Sequence, residues 1–224
     1  MELFGKPLKL VILDVDGVIL DLLARWQDNL EAAAREVGLP VKPIRAKLAA
    51  EQAGIKTQTD SNLREGIALM WPTASPAKLD RYYDCYREEE KRNPYPPIAG
   101  STETIHWLRE HCVRVAVCTT NPLVALTHRF RGAGIDFSWF DGCATGDDKY
   151  CKPHPRAFEP IFEKINVPRE HSVYIGDWYP DFQAARNAEV PFIAVLTGGI
   201  PRFAFLREGV PEDRILECLA ELPK

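Results

Sequence analysis

Residues 8–13, LKLVIL, form an apolar run that stops at Asp14-Val15-Asp16-Gly17. An apolar run this short, closed by turn-forming residues, predicts a buried strand. Such a strand needs cover on both faces, and the chain beyond residue 95 supplies it. A helix at about 101–111 leads to a strand, VRVAVC, at 113–118. A helix at about 123–133 runs into a loop rich in Gly and Asp. A helix at about 155–166 leads to SVYI at 172–175, and one at about 180–188 leads to PFIAVL at 191–196. A last helix is expected at about 212–221. Helices alternating with β-branched strands predict an α/β fold, a parallel sheet with helices on both faces.

Residues 20–94 break that alternation. Leu22, Leu23, Trp26, Leu30, Ala33 and Val37 recur at helical spacing across 21–38, and Gly38-Leu39-Pro40 ends the run. Residues 41–93 read as further helices without a strand. The run Arg87-Glu88-Glu89-Glu90-Lys91-Arg92 is expected to be a solvated helix face with i,i+3 and i,i+4 ion pairs. The stiff segment Asn93-Pro94-Tyr95-Pro96-Pro97 closes the block. The expected organisation is an α/β core of residues 1–19 and 95–224 and an all-helical insertion of residues 20–94.

Charge narrows the partners. Twenty-eight Lys and Arg against 32 Asp and Glu give 28 − 32 = −4, which is no footprint for nucleic acid or an anionic membrane. Asp14 and Asp16 interrupt the best apolar stretch, so neither membrane span nor signal peptide is expected, and the expected location is cytoplasmic. The six cysteines contain no CxxC pair and are expected to be reduced thiols. None of the five histidines has a partner at zinc spacing.

The unusual polar residues fall where strands end. Asp14 and Asp16, Thr119 and Thr120, and Asp177 follow apolar runs, and Lys152 sits on a loop. In open α/β sheets ligands bind at the carboxyl ends of the strands. Converging carboxylates repel one another and require a cation, and an all-oxygen site suits Mg²⁺. Gly17 permits a tight turn and close approach of backbone amides to a ligand. Thr119 offers a hydroxyl and Lys152 a point charge, both suited to phosphate oxygens. Carboxylate nucleophile, metal, lysine and amides together describe phosphoryl transfer, which asks mainly for positioning and charge neutralisation.

In this order the motifs resemble those of the haloacid dehalogenase superfamily. They are Asp14-Val15-Asp16-Gly17 after the first strand, Thr119 in VAVCTTNP, Lys152 in CKPHPRAF, and Gly176-Asp177 through Asp181 followed by Ala184-Ala185. The resemblance spans about residues 8–221 and is closest to a phosphoglycolate phosphatase-like subgroup. It implies a Rossmann-like core and makes the 20–94 insertion a C1-type helical cap. It implies Asp14 as the nucleophile that becomes an aspartyl phosphate, and Asp16 as general acid/base. It implies Mg²⁺ held by the side chains of Asp14 and Asp177 and the backbone carbonyl of Asp16, with Asp181 orienting the metal's shell. Gly17, Thr119, Thr120 and Lys152 would bind the phosphoryl group. Val18 replaces a common Thr, Thr120 a common Asn, and Glu189 a common Gly.

The function implied is a Mg²⁺-dependent phosphatase for a small phosphorylated metabolite, phosphoglycolate- or sugar-phosphate-like. A phosphomutase resembling β-phosphoglucomutase is the alternative. A 2-haloacid dehalogenase is disfavoured by Asp16, which those enzymes lack. Oligomeric state carries no sequence signal. Asp181 could equally cap the helix beside it. Trp178 and Tyr179 could form a substrate rim or pack on the cap. The polar stretch GIKTQTDSNLR, with Lys56, Thr57, Thr59, Asn62 and Arg64, reads as a surface loop or a substrate-reading face.

Overall fold

The computed structural model describes residues 2–56 and 63–222. A short hairpin, β1 (Glu2–Leu3) and β2 (Lys6–Pro7), precedes β3 (Leu10–Leu13). Four helices follow: α1 (Trp26–Glu36), α2 (Lys42–Gln52), α3 (Leu63–Met70) and α4 (Pro76–Arg92). The chain then alternates through α5 (Ser101–Glu110), β4 (Arg114–Cys118), α6 (Leu123–Ala133), β5 (Gly142–Ala144), α7 (Glu159–Ile165) and β6 (Ser172–Gly176). It ends with α8 (Tyr179–Asn187), β7 (Phe192–Val195), α9 (Arg202–Glu208) and β8 (Ile215–Leu216). Six strands form one parallel sheet in the order β5-β4-β3-β6-β7-β8.

The first apolar run is the middle of that sheet. Ile12 is in register with Ala116 of β4 on one side and Tyr174 of β6 on the other. Its four residues are wholly buried, and alternate side chains serve opposite faces. Val11 and Leu13 join a cluster with Leu108, Phe130 and Val173, whereas Leu10 and Ile12 join one with Phe158, Tyr174 and Phe205. Because β4 and β6 lie on either side of β3, the chain reverses its direction of winding there. That places a crevice at the carboxyl ends of the three central strands.

The inserted helices carry a separate apolar cluster, with Leu30, Ala33, Ile44, Ile67, Trp71 and Tyr82 at its centre. Helix α4 starts at Pro76, and the Ser75 hydroxyl accepts from Lys78 N at 3.4 Å. Contacts from just beyond α2 and from α4 tie the insertion to the core. The Gly54 carbonyl, beyond α2, accepts from Arg207 at 2.8 Å, and Glu90 on α4 pairs with Arg129 on α6.

Several expectations need correction. The first helix starts at Trp26, not at 21. Ile19 N and Leu20 N both bond Val15 O, and Asp21 accepts from Ala24 N, so residues up to 25 are spent on turns. The helix expected from 155 starts at Glu159. The final helix at 212–221 does not form. Ile215 and Leu216 instead join the sheet edge beside Ala194 and Val195, with a single 3₁₀ turn on either side. Tertiary pairing there overrides helical pattern. Strand β5 and helix α9 carried no clear sequence signal.

The charge run on α4 is only partly solvated. Lys91–Glu88 and Arg92–Glu89 are surface pairs at 2.6 and 2.7 Å, but Glu90 is buried. All six cysteines are unpaired. Among the described residues no helix is long and apolar enough to cross a membrane.

The central position of β3 sets a stability expectation. Ile12→Ala should cost about 3 kcal/mol in urea unfolding, from lost burial plus the cavity left behind. Leu69→Ala, at an exposed position of α3, should stay within about 0.5 kcal/mol. Equal losses at the two sites would contradict this account of the core.

Candidate active site

Three strand ends converge. Asp14 follows β3, and its N–H still pairs with Ile175 O at 2.9 Å. Thr119 follows β4, and its N–H bonds Ala144 O at 3.0 Å. Asp177 follows β6 directly. Lys152 reaches the same point from the loop before α7. Its Nζ lies 2.9 Å from Asp14 Oδ1, 2.6 Å from Asp181 Oδ1 and 2.9 Å from the Tyr174 hydroxyl. All of these groups are buried. Lys149, three residues earlier, lies instead over the Tyr150 ring.

Asp181 does two things at once. Its Oδ2 accepts from Trp178 N at 3.0 Å, which caps α8. Its Oδ1 accepts from Lys152 and from the Tyr174 hydroxyl at 2.7 Å. The capping role and the site role are therefore compatible, because two oxygens are available.

The charges in this cluster do not balance. Carboxylate oxygens of Asp14, Asp177 and Asp181 lie within 4.8 Å of one another, and Lys152 is the ammonium between them. Burial pushes the Asp14 carboxyl up to about 7; Lys152 pulls it down, and Asp181 and Asp16 push it up further. Burial, then Asp181 and Asp14, hold Asp177 well above the usual carboxylate range. Burial pulls Lys152 down, but Asp14 and Asp181 outweigh it and raise the ammonium above its ordinary value. Asp177 Oδ1 is buried without a hydrogen-bond partner. Gly17, at φ +78°, and Gly198 both press on the Asp177 carboxylate, and a Cβ on either would collide with it. An all-oxygen donor set with excess negative charge and an unpartnered oxygen fits a hard divalent cation.

The Thr119 hydroxyl accepts from Asn121 N at 3.2 Å and from Asn121 Nδ2 at 3.0 Å. With both lone pairs used, its hydrogen remains for donation. Thr120 lines, with Asp14, Thr119 and Lys152, a cavity that opens at these strand ends. Gly17 gives its own N–H to Leu20 O at 2.8 Å, so in this conformation it supplies space rather than an amide.

The Asp16 side chain lines the same cavity but is held by a different set of partners. Its Oδ2 accepts from Asn121 Nδ2 at 2.7 Å and pairs with Arg129, while Oδ1 has no partner. Arg129 also pairs with Glu90 of α4, which is held in addition by Arg87 at 2.6 Å. Burial alone would lower Arg129, but Asp16 and Glu90 raise it well above the ordinary guanidinium value. Glu90 is held below its usual range because Arg129 and Arg87 overcome the cost of its burial. Two guanidiniums face two carboxylates here, so this second network is neutral. Sequence reasoning named neither Arg129 nor Asn121 as a site residue.

Trp178 lines the cavity, with Lys47 of α2 5.8 Å from its ring centre. Tyr179 packs beneath the insertion, and its hydroxyl reaches Gly54 O at 3.4 Å. Lys56 pairs with Glu208 and Arg64 with Asp80, so neither enters the cluster. Thr57, Thr59 and Asn62 lie outside the described residues. No histidine belongs to a metal-binding cluster among the described residues.

The chain belongs to the haloacid dehalogenase-like hydrolase family, whose profile matches residues 11–195. It is 27% identical over 198 residues to a phosphoglycolate phosphatase of Pseudomonas syringae, covering 87% of this chain and 71% of that one. It is 25% identical over 190 residues to a phosphorylated carbohydrates phosphatase of Thermotoga maritima, covering 80% and 81%. The fold is shared with CbbY from Rhodobacter sphaeroides solved with phosphate, at TM-score 0.75 and 19% identity, covering 96% of each chain.

Two outcomes follow from the electrostatics. In EDTA the folded protein binds a proton at Asp14 that the unfolded chain has already released between about pH 4 and 7. A raised carboxyl therefore lowers stability as pH rises through that window. Asp14→Asn should melt higher than the parent at pH 8, with the gap closing toward pH 5. Added Mg²⁺ should raise the parent's Tm more at pH 8 than at pH 5.5. A pH-independent gap would remove the charge imbalance as its cause.

Arg129→Met leaves Asp16 without its cation and Glu90 with Arg87 alone, and should cost about 3 kcal/mol or more. Adding Glu90→Gln should recover part of that loss in a double-mutant cycle. Strict additivity would mean that the two residues do not interact.

Proposed function

We propose that this hydrolase is a Mg²⁺-dependent phosphatase that cleaves a small phosphomonoester through an aspartyl-phosphate intermediate. The observation carrying this reading is the buried convergence of Asp14, Asp177, Asp181, Lys152 and the Thr119 hydroxyl on three neighbouring strand ends. The names of the relatives support it, and they place phosphoglycolate and phosphorylated carbohydrates first among compounds to assay.

Asp14 and Asp177, with the Asp16 carbonyl, would hold Mg²⁺, and Asp181 would orient its shell. The ion supplies positive charge that offsets the clustered carboxylates and the phosphoryl oxygens. Lys152 and the Thr119 hydroxyl hold phosphoryl oxygens in place beside Asp14. An Asp14 oxygen attacks phosphorus, and the ester P–O bond breaks. Asp16 gives its proton to the departing alkoxide. Water then attacks the phosphoryl group, Asp16 takes the proton, and Asp14 is released as a carboxylate with inorganic phosphate. Arg129 and Asn121 both grip Asp16 Oδ2, so Oδ1 is the atom left to carry the proton. The helices of residues 20–94 act as a cap that excludes bulk water from the cleft.

The two aspartates should fail differently. Asp14→Asn should abolish turnover, since no covalent intermediate forms. Asp16→Asn should lose about 10²–10⁴-fold on an alkyl phosphate and less on p-nitrophenyl phosphate, whose leaving group needs little protonation. Steady-state kinetics of both variants on both esters, with acid-quench mapping of a labelled phosphoryl group, test this. Label on a residue other than Asp14 would overturn the mechanism. Isomer formation from a sugar phosphate without free phosphate would show a phosphomutase instead.

A further inference from the structure

We propose that the alcohol carried by the phosphate is apolar, an alkyl or aryl group rather than a polyol or a carboxylic acid. This rests on the phosphatase reading and names the substrate class of the same site.

The cavity that begins at Asp14, Thr119 and Lys152 runs on toward the inserted helices, with a volume of about 170 Å³. Beyond the phosphate end its walls change character. Leu22 and Leu23 come from the segment leading into α1, Trp26 from its first residue, Met70 from the end of α3, and Trp178 and Ile200 from the core. Leu23 is 39% exposed, although it is a large aliphatic side chain beside a buried charge cluster. Apolar surface held open at such a place gains by being covered with apolar substrate.

Among the described residues, the polar groups beyond the phosphate end, Lys47, Glu51 and Tyr86, already have partners. Lys47 and Glu51, one turn apart on α2, pair at 2.9 Å. The Tyr86 hydroxyl lies 3.0 Å from that of Tyr95 and 3.4 Å from Arg129. A sugar phosphate entering this space would bury several hydroxyls against Leu, Met and Trp side chains. Each hydroxyl stripped of water without a new partner weakens binding. A carboxylate at the far end would meet Glu51 as well as Lys47, so the ammonium is already compensated. An alkyl or aryl group asks for none of these partners. Trp178, with the Lys47 ammonium over its ring, supplies a flat wall for it.

The test uses the Mg²⁺-loaded enzyme and follows phosphate release. Acetyl phosphate serves as the small probe that is independent of the class. The series is ethyl, butyl and hexyl phosphate, compared with phenyl phosphate, glucose 6-phosphate and phosphoglycolate. The expected result is a kcat/KM that rises about three- to fourfold per added methylene, carried by KM with kcat nearly constant. Hexyl and phenyl phosphate should exceed glucose 6-phosphate and phosphoglycolate by about 100-fold or more. Leu23→Gln should flatten the chain-length slope, and Leu23→Met should restore it. A flat slope, or preference for glucose 6-phosphate or phosphoglycolate, with acetyl phosphate still hydrolysed, overturns the apolar class and leaves the phosphatase reading standing. No hydrolysis of any of these phosphates, acetyl phosphate included, overturns both.

Discussion

Three buried carboxylates around one lysine are the constraint on which the rest of this molecule depends. Like charges this close are tolerated only if the scaffold holds them rigidly and something offsets their repulsion. Rigidity comes from β3, fixed by parallel neighbours on both sides and buried on both faces. Partial compensation comes from Lys152, itself positioned by Asp181 and Tyr174. The imbalance that remains is what fits the site for a divalent cation. The two glycines against Asp177 serve the same end, because any side chain there would displace the carboxylate.

The second ionic network solves a different problem. It joins core to insertion, so it has to be stable without a bound ion, and its charges balance. Arg129 is the pivot. It rises from a core helix, grips Asp16 two residues after Asp14, and grips Glu90 on the inserted helix α4. The seating of α4 and the placement of the Asp16 carboxylate are thus linked through one guanidinium. A planar group with five donors can bridge two carboxylates in this way, whereas an ammonium would do so with less directional control.

What was legible in the sequence, and what was not, follows from the same physics. Asp14, Thr119 and Asp177 stood out because each ends an apolar strand, where a polar residue is unexpected unless something binds there. Arg129 sits beside Arg131 in LTHRFRGA and reads as one more surface base. Its spacing held the clue, since it falls four and three residues after Ala125 and Leu126, on the helix's apolar stripe. Glu90 likewise continues the row of Tyr82 and Tyr86 at four-residue intervals, yet its charged neighbours disguise it. The edge strands were illegible for another reason. Gly142–Ala144 and Ile215–Leu216 are two or three residues long, and their strand character exists only in the pairing with β4 and β7.

The cavity divides its labour along its length, and that division explains how the sequence could announce a chemistry without announcing a substrate. At the end lined by Asp14, Thr119 and Lys152 the requirements are those of charge and geometry, which only a few residue types meet at fixed places relative to the strand ends. The far wall comes from the insertion and from Trp178 and Ile200, and its requirement is only that the surface match the organic group. Many residues meet such a requirement, and Leu22, Leu23 and Trp26 are indistinguishable in sequence from the helix stripe that follows them. The apolar periodicity of 21–38 reads as packing throughout, but residues before 26 form turns, and their side chains line the cavity. A helical pattern that runs past the true start of its helix is therefore informative, since the residues left over are apolar for a reason other than helix packing.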